Sequence, residues 1–253
     1  MNIWGISANS HDAAVSVWHD KELQFAAHSE RYSGIKNDGH LCEGIIKDAE
    51  YFGRPDIVVW YEDPWLKSSR QVQAGQNIDP KENDIKAYLS KYNIEKSIVY
   101  QQHHHSHASA GYYTSGFKDA TVLVIDSIGE FETLTIWHGS DNKLKKIYSQ
   151  GYPDSVGLWF SAMTQRCGLK PNEEEYILMG MAAYGDPNKL KQAIYNDFFA
   201  VIQGPDIKFK KNLHRGCLDW RLDLLSKQDI YNIAAATQQI YTELLIGAVE
   251  WAK

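Results

Sequence analysis

Cysteine is scarce in this chain, with only Cys42, Cys167 and Cys217 among 253 residues. Their number is odd and no two are separated by two residues, which argues against a disulfide framework and against a cysteine zinc site. No apolar stretch approaches the roughly 18 residues of a membrane span. Residues 1–6 show neither the basic segment nor the apolar run of a signal peptide. We therefore expect a cytoplasmic protein.

A basic excess is also lacking. The chain has 26 Lys and Arg against 32 Asp and Glu, a formal net charge of −6, which argues against a general nucleic-acid binder. There is no internal repeat and no low-complexity linker, so composition marks no domain boundary. The length suits one large domain or two small ones, and 43% hydrophobic residues are typical of a globular protein.

What the chain does have is a concentration of histidine. Residues 101–110 read QQHHHSHASA, which places four of the ten histidines within five positions. If this segment is helical, His103 and His107 share one face and can converge on one ion. Two imidazoles suit a divalent first-row transition metal that takes one or two further ligands. The same run also fits a solvent-facing polar turn or a tract that binds metal only incidentally.

Apolar runs separated by turn residues predict a mixed α/β sheet. Residues 63–95 lack clear periodicity, and we expect a surface excursion there with one helix near residues 82–92. The middle of the run 121–126 is uniformly apolar, which is typical of the centre of a sheet covered on both faces. The other predicted strands are 3–6, 13–17, 23–28, 56–61, 96–100 and 131–137. The other predicted helices are 42–52, 103–115, 158–167, 190–201 and 229–251.

Two loops carry titratable groups at the ends of predicted strands. His11 and Asp12 lie at the tip of a polar turn, and such a turn can present N–H groups to an anion, although any hairpin has a similar loop. Asp126 ends the strongest predicted strand. Active groups of open α/β sheets gather at the carboxyl ends of strands, so Asp126 is a candidate site residue.

Four ordered segments together resemble one family, the O-carbamoyltransferases of the nodulation and antibiotic-tailoring type. Residues 3–14 (IWGISANSHDAA) resemble its opening hairpin, and residues 30–38 resemble its glutamate–arginine–aromatic and lysine–aspartate segment. Residues 103–110 match its histidine signature, and residues 175–187 (EYILMGMAAYGDP) resemble its methionine–glycine and tyrosine–glycine loop.

This resemblance implies an actin-like ATPase (ribonuclease H-like) fold, with a mixed sheet flanked by helices. It is related to the domain that makes threonylcarbamoyl-adenosine in tRNA. Residues 1–253 would form the amino-terminal part of that domain, with a sheet-rich subdomain over 1–140 and a mostly helical extension over 141–253. Family members are markedly longer, so we expect the domain to be incomplete.

The resemblance also implies an activity. A carbamoyl group comes from carbamoyl phosphate and ATP, the two co-substrates, and passes through a metal-bound carbamoyl-adenylate to a substrate hydroxyl. The metal is divalent, with iron(II) expected. His103, His107 and Asp126 fall on the metal ligands and His11 on the transfer histidine, whereas His104 and His105 are expected behind the ligands or facing solvent. The expected nucleotide and carbamoyl contacts are Asn9, Ser10, Asp12, Arg31, Lys36, Ser127, Gly129, Glu130, Met179 and Gly180.

Three positions depart from the family pattern. Ile177 stands where a lysine is usual, Ser127 replaces a glycine, and Asn37 takes a common histidine position. These departures leave the metal ligands in place, but they leave the acceptor unidentified beyond a small molecule with a hydroxyl group.

The longer members continue into a second half of the core, with another aspartate ligand and a carbamoyl-phosphate-processing domain. We therefore expect a partner chain that carries these parts, or self-association, but neither a membrane nor a nucleic acid as partner. The last predicted helix would otherwise expose apolar residues, among them Ala234, Ala235, Ala236, Leu244, Leu245 and Ile246. Two other hypotheses stay open: a non-catalytic metal- and nucleotide-binding or regulatory module of the same fold, and an unrelated metal-dependent hydrolase.

Overall fold

A computed structural model describes residues 1–77 and 79–253, with the backbone alone at positions 80 and 82. The chain divides into two compact units, Met1–Ser106 and His107–Lys253. The division falls inside one continuous helix, whose first four residues are counted with the first unit.

The first unit is built on a five-stranded mixed sheet in the order β3-β2-β1-β4-β5. The first three strands are antiparallel, and β4 and β5 are parallel to β1. This mixed sheet with helices confirms the predicted α/β class. The elements are β1 (Asn2–Ser7), β2 (Ala14–His19), β3 (Glu22–His28), α1 (Glu30–Ser33), α2 (Glu43–Tyr51), β4 (Ile57–Trp60), α3 (Pro64–Gln73), a 3-10 turn (Pro80–Asn83), α4 (Ile85–Ser90) and β5 (Ser97–Tyr100).

Strand alternation forms the core of this unit. Trp4 and Ile6 of β1, together with Val58 and Trp60 of β4, are buried on one face of the sheet, as the two-residue period requires. Helices α2 and α4 cover that face through Ile45, Ile46, Ala49, Ile85 and Leu89. The ends of β1 and β4 are thereby held rigidly, and the loops that follow them begin at fixed positions.

Helix α3 corrects the prediction of a surface excursion over residues 63–95. Asp63 caps the helix by accepting hydrogen bonds from the N–H groups of Trp65 and Leu66, and Pro64 occupies the first turn. Both are ordinary signals of a helix start. Pro64 and Lys67 are buried, so this helix packs against the sheet unit through a polar residue as well as an apolar one.

The second unit contains the rest of helix α5 (His103–Ser115), an antiparallel three-stranded sheet in the order β6-β7-β8, and a two-stranded sheet of β9 and β10. Its other helices pack around Trp159, Met163, Phe198 and Ile240. The remaining elements are β6 (Asp119–Gly129), β7 (Glu132–Ser140), β8 (Lys143–Gly151), α6 (Val156–Arg166), α7 (Glu175–Met181), α8 (Lys191–Phe198), β9 (Phe199–Gln203), β10 (Asp206–Phe209), α9 (Lys227–Trp251) and 3-10 turns at Ala182–Tyr184, Pro187–Lys189 and Leu213–Arg215.

The apolar run of β6 predicted a strand at the centre of a sheet, but β6 does not lie there. It forms one edge of the three-stranded sheet, and β7 lies in the middle. The burial explains the difference, because most of β6 is only half-buried whereas residues 133–137 of β7 are all buried. An apolar run therefore identified a strand correctly but not its place in the sheet.

The division of the chain at residues 106 and 107 differs in position from the predicted subdivision at residue 140. Residue 140 is the last residue of β7, which pairs with β8 in a single sheet, and the predicted helical extension also contains β9 and β10. The subdivision of the family domain stays a prediction.

Most of the apolar residues of helix α9 that were expected to be exposed are buried within the chain. A capping box of Ser226 and Asp229 starts the helix. Ala234, Ala235, Ala236 and Leu244 are buried, Leu245 is half-buried and Ile246 is exposed. Ile246, Val249 and Trp251 stay exposed near the end of the helix, and the expected partner stays a prediction. Among residues 1–77 and 79–253, no helix is long and apolar enough to cross a membrane.

Candidate metal and transfer site

Helix α5 carries both predicted histidine ligands on one face. It begins at His103 directly after β5, and the Gln101 N–H donates to the Trp60 carbonyl at 2.9 Å, which fixes the approach to the helix. The Ser106 hydroxyl donates to the Tyr61 carbonyl at 2.8 Å, just beyond β4. One helical turn separates His103 and His107, so the side chains lie one above the other.

Asp126 reaches the same place from β6. The pairing of β6 with β7 is irregular between Ile125 and Gly129, and an irregularity of this kind re-aims a side chain. One carboxylate oxygen, Oδ1, accepts the Ser127 N–H at 2.6 Å. The other, Oδ2, lies 3.9 Å from Nε2 of His107, whose side chain is 56% exposed.

The start of helix α6 holds the Asp126 backbone. The N-cap residue Ser155 donates its hydroxyl to the Ser127 carbonyl at 2.6 Å and lies 3.3 Å from the Asp126 carbonyl. A Cβ at Gly157 would lie 2.7 Å from the Asp126 carbonyl oxygen. Only glycine therefore allows α6 to approach this closely.

One potential ligand atom each of His103, His107 and Asp126 lies within 4.8 Å of the others. Two imidazoles and a carboxylate are a donor set typical of first-row transition metals, and such a set leaves coordination positions open for a substrate. The residues present therefore fit the divalent ion that the sequence predicted. His104, by contrast, is fully buried, so it does not face solvent.

A buried ion pair lies behind His103. The Lys67 ammonium is 2.6 Å from Oε1 of Glu62, and the two residues are 7% and 5% exposed. Oε2 of Glu62 lies 4.0 Å from Nδ1 of His103. The same ammonium donates to the Asn9 carbonyl at 3.1 Å, so the pair contacts both the helix of the ligands and the loop that carries His11.

His11 and Asp12 form a pair at the predicted hairpin loop. Nδ1 of His11 lies 2.9 Å from Oδ2 of Asp12, and the His11 side chain is 76% exposed. In the neutral imidazole, an Nδ1–H donated to this carboxylate leaves Nε2 as a proton acceptor. Asn9 and Asp12 both have positive φ, a conformation that Asn and Asp tolerate better than most residues.

The segment 37–39 supports this loop from one side. The N–H groups of Asn9 and Ala13 donate to the carbonyls of Gly39 and Asp38 at 2.8 and 2.7 Å. Hydrogen bonds from the Ser33 side chain and then from the His40 N–H hold the pKa of Asp38 below its ordinary value. The segment 37–39 is therefore itself held by hydrogen bonds to the Asp38 carboxylate.

The other predicted contacts lie in varied settings. Ser10, Arg31 and Lys36 are exposed in the first unit, whereas Gly129 and Glu130 are buried at the β6–β7 turn. Met179 and Gly180 are exposed on α7 in the second unit. The Asn9 and Ser127 N–H groups are already donated within the chain, to Gly39 and Asp126. The assignment of this set to nucleotide and carbamoyl binding stays a prediction.

Comparison with known families decides the relationship of the chain. A family model described as carbamoyltransferase N-terminus matches residues 64–243, which include all three residues of the cluster. The chain belongs to the carbamoyltransferase family. The family that the sequence resemblance indicated is thereby confirmed.

Relatives of this carbamoyltransferase-family chain include the nodulation protein NolNO of Sinorhizobium fredii. It is 34% identical over 207 residues, which cover 76% of this chain and 30% of that protein. An uncharacterised protein of Synechocystis is 29% identical over 221 residues, covering 74% of this chain and 35% of its own length. The chain thus spans about a third of the length of the curated relatives it matches.

Among solved structures, the chain is similar to a Ppx/GppA family protein of Aquifex aeolicus. The TM-score is 0.38 at 13% identity, with 100% of this chain and 90% of that chain covered. A second structure of an Aquifex aeolicus PPX-GPPA enzyme gives 0.39 at 11% identity, with 100% and 93% covered. A likeness at these scores carries no argument, and the actin-like assignment continues to rest on the sequence resemblance.

Sequence reasoning about this family member missed Glu62, Lys67, Ser155 and Gly157. Glu62 was open to prediction, because it is a carboxylate close after a buried strand, which is the signal that identified Asp126. Ser155 could also have been predicted as a helix N-cap, because it is a serine directly before an apolar helix. The contacts of Lys67 and Gly157 depend on how distant segments approach, and no local pattern shows them.

Proposed function

We propose that this chain carries the metal and transfer residues of an O-carbamoyltransferase. Its acceptor would be a hydroxyl group, and its carbamoyl group would come from carbamoyl phosphate and ATP. The observation that supports this proposal is the cluster of His103, His107 and Asp126, which lies inside the segment that matches the carbamoyltransferase family.

His103, His107 and Asp126 would hold the divalent ion, with iron(II) as the expected metal. When bound, the ion supplies Lewis acidity and a fixed anchor for substrate oxygen atoms. Asp126 is suited to this role because one of its oxygens is oriented by the Ser127 N–H while the other faces His107. The remaining chemistry falls to groups of the protein.

His11 would act as the general base. Its Nε2 takes the proton of the acceptor hydroxyl as that oxygen bonds to the carbamoyl carbon. The bond from this carbon to the phosphate oxygen of the adenylate breaks, and AMP leaves with the electron pair. Asp12 keeps the proton on Nδ1 and so keeps Nε2 available.

A complete activity would also need the part of the protein that lies outside this chain. Because the chain spans about a third of its relatives, we propose that the second half of the core and a carbamoyl-phosphate-processing domain complete the site from a partner chain. The alternative is a self-associated chain that lacks both parts. Ile177 is half-buried on α7 and takes the place of the usual lysine, so the acceptor would differ from that of related proteins.

The test is co-expression with the neighbouring gene product, followed by elemental analysis and a carbamoyl-phosphate-dependent assay of pyrophosphate release and transfer. His11→Asn is expected to lower transfer by at least about 100-fold, the lower range for loss of a general base, with metal content unchanged. His19→Asn is the matched control, because His19 is also exposed and hydrogen-bonded but lies at the far end of β2.

Unchanged transfer by His11→Asn would remove His11 from the mechanism. Metal binding without any pyrophosphate release, even with the partner present, would instead identify a non-catalytic module of the same fold. Metal-dependent hydrolysis that needs neither ATP nor carbamoyl phosphate would contradict the proposed function altogether.

A further inference from the structure

The buried pair of Glu62 and Lys67 is unlike the other ion pairs found among the residues that the structure describes. Both residues are almost fully buried, with Oε1 and Nζ 2.6 Å apart, whereas the Lys191–Glu243 pair is partly exposed. Removing two charges from water costs several kcal/mol per ion, and an apolar pair of similar volume is often equally stable. Stability alone therefore does not explain this pair.

The contacts of the pair point to a different role. Glu62 directs one oxygen at Lys67 and the other at Nδ1 of His103, at 4.0 Å. Lys67 directs its ammonium at Glu62 and at the Asn9 carbonyl. Two charged groups thus link a predicted metal ligand to the loop that carries the predicted general base.

We propose that Glu62 is the positioning residue of His103, and that Lys67 couples this histidine to the His11 loop. The proposal rests on the proposed metal site. A histidine ligand commonly donates its second ring N–H to a carboxylate, which fixes the tautomer and makes the first nitrogen a better ligand. With Nδ1 turned toward Glu62, Nε2 of His103 would be the atom left to hold the ion.

The 4.0 Å separation is consistent with this role. It is longer than a hydrogen bond, which ends near 3.2 Å, so a small rotation of the His103 ring is needed to form one. The Glu62 carboxylate itself is held by the short contact to Lys67 and cannot follow the ring freely. Once that hydrogen bond is formed, Glu62 would restrict His103 to one orientation, which is the condition for a tight metal site.

The experiment uses the full chain and Co²⁺ as the probe, titrated by absorption against a competing chelator. Glu62→Gln is expected to weaken Co²⁺ binding by about 10- to 100-fold, the range for loss of a carboxylate behind a histidine ligand. Because Glu62→Gln also leaves Lys67 without its counter-charge, it will reduce stability. The double variant Glu62→Leu/Lys67→Met removes both charges and separates the two effects.

In the double variant the thermal stability should recover while Co²⁺ binding stays weak. If the pair is merely structural, binding will recover with stability, and this result would overturn the proposal. Glu243→Gln breaks the partly exposed pair with Lys191 and is the control, with Co²⁺ affinity expected to be unchanged. Failure of the unsubstituted chain to bind Co²⁺ would overturn both the metal site and this inference, whereas equal affinities of the unsubstituted chain and Glu62→Gln would overturn the inference alone.

The coupling to the loop has its own measurement. Lys67→Met removes the hydrogen bond to the Asn9 carbonyl, so amide hydrogen exchange in residues 9–13 should become faster. Glu243→Gln should leave exchange in this segment unchanged. Equal exchange in Lys67→Met and the unsubstituted chain would show that Lys67 does not hold the loop.

Discussion

Replacing Gly157 by alanine should disturb the backbone of Asp126 without altering the side chain of any predicted metal ligand. The new Cβ would lie 2.7 Å from the Asp126 carbonyl oxygen and 2.8 Å from both Cα and N of Ser127. Ordinary contact begins at 3.4 Å, and all three neighbours are backbone atoms that cannot rotate away. Either the start of α6 or the backbone of residues 126–127 must therefore move by several tenths of an ångström.

Two opposing effects set the size of the change. Alanine is favoured over glycine inside a helix by about 0.5–1 kcal/mol. Overpacking against a rigid neighbour costs about 1–3 kcal/mol. We therefore expect Gly157→Ala to destabilise the chain by roughly 1 kcal/mol, and to weaken metal binding because ligand groups tolerate displacements of only about 0.5 Å.

Gly247→Ala provides the matched control. Gly247 is also helical, in α9, but nothing lies within 4 Å of a Cβ built there. This variant should be stabilised by up to about 1 kcal/mol, with Co²⁺ affinity unchanged. The two glycine-to-alanine changes should thus shift the free energy of unfolding in opposite directions.

Chemical denaturation and Co²⁺ titration of both variants test the reasoning. If Gly157→Ala is as stable as Gly247→Ala and binds Co²⁺ as tightly as the unsubstituted chain, the close approach of α6 does not hold Asp126. If Gly157→Ala loses stability but keeps its affinity, the contact exists and the ligand position does not depend on it.

Two further predictions concern groups away from the site. Burial raises the pKa of Cys167 to about 12 and that of Cys217 to about 11. Both thiols should therefore resist alkylation at pH 8. Alkylation of either thiol in the folded chain would contradict this packing. Burial of Glu243 acts to raise its pKa, but hydrogen bonds from Lys191, Tyr195 and Gln239 outweigh burial and lower it. A carboxylate whose pKa is lowered by folding stabilises the folded chain at pH values above its unfolded pKa of about 4.3, and this stabilisation is lost as the pH falls through the folded pKa. The melting temperatures of Glu243→Gln and the unsubstituted chain should therefore differ at pH 7 and converge at low pH. A constant difference across this range would exclude the carboxylate as its source.

Much of the fold was open to prediction from local patterns. Strands β1 to β5 follow apolar runs bounded by turn residues and α9 follows helix periodicity, so their type was predicted correctly. The type of α5 was also predicted correctly, although its residues show no apolar periodicity. The place of β6 at a sheet edge was not, because an apolar run records that a strand is covered and not which neighbours it has. Helix α3 was missed although Asp63 and Pro64 are signals of a helix start. Its many polar residues leave no clear apolar periodicity in the sequence.

The candidate site was likewise predictable only where its residues lie close together in the sequence. His103 and His107 were predictable because a spacing of four is a local property of a helix. The approach of Asp126 to His107 was implied only by family resemblance, because it depends on the path of β6. Lys67 lies 58 positions from the Asn9 carbonyl that it contacts, and neither residue carries a local signal of that contact.

The departures from the family pattern bear on chemistry more than on folding. Asn37 has a φ of 56°, a conformation that asparagine tolerates, and its N–H donates to Glu30 at 3.1 Å. Ser127 donates its N–H to Asp126, a bond that any residue except proline could make at that position. Because both substitutions fit the local backbone, they leave the loop and the ligand where the proposed activity needs them. Ile177 differs, since it removes a charge from α7 and not a backbone contact, so the identity of the acceptor is the property on which this chain should diverge from its relatives.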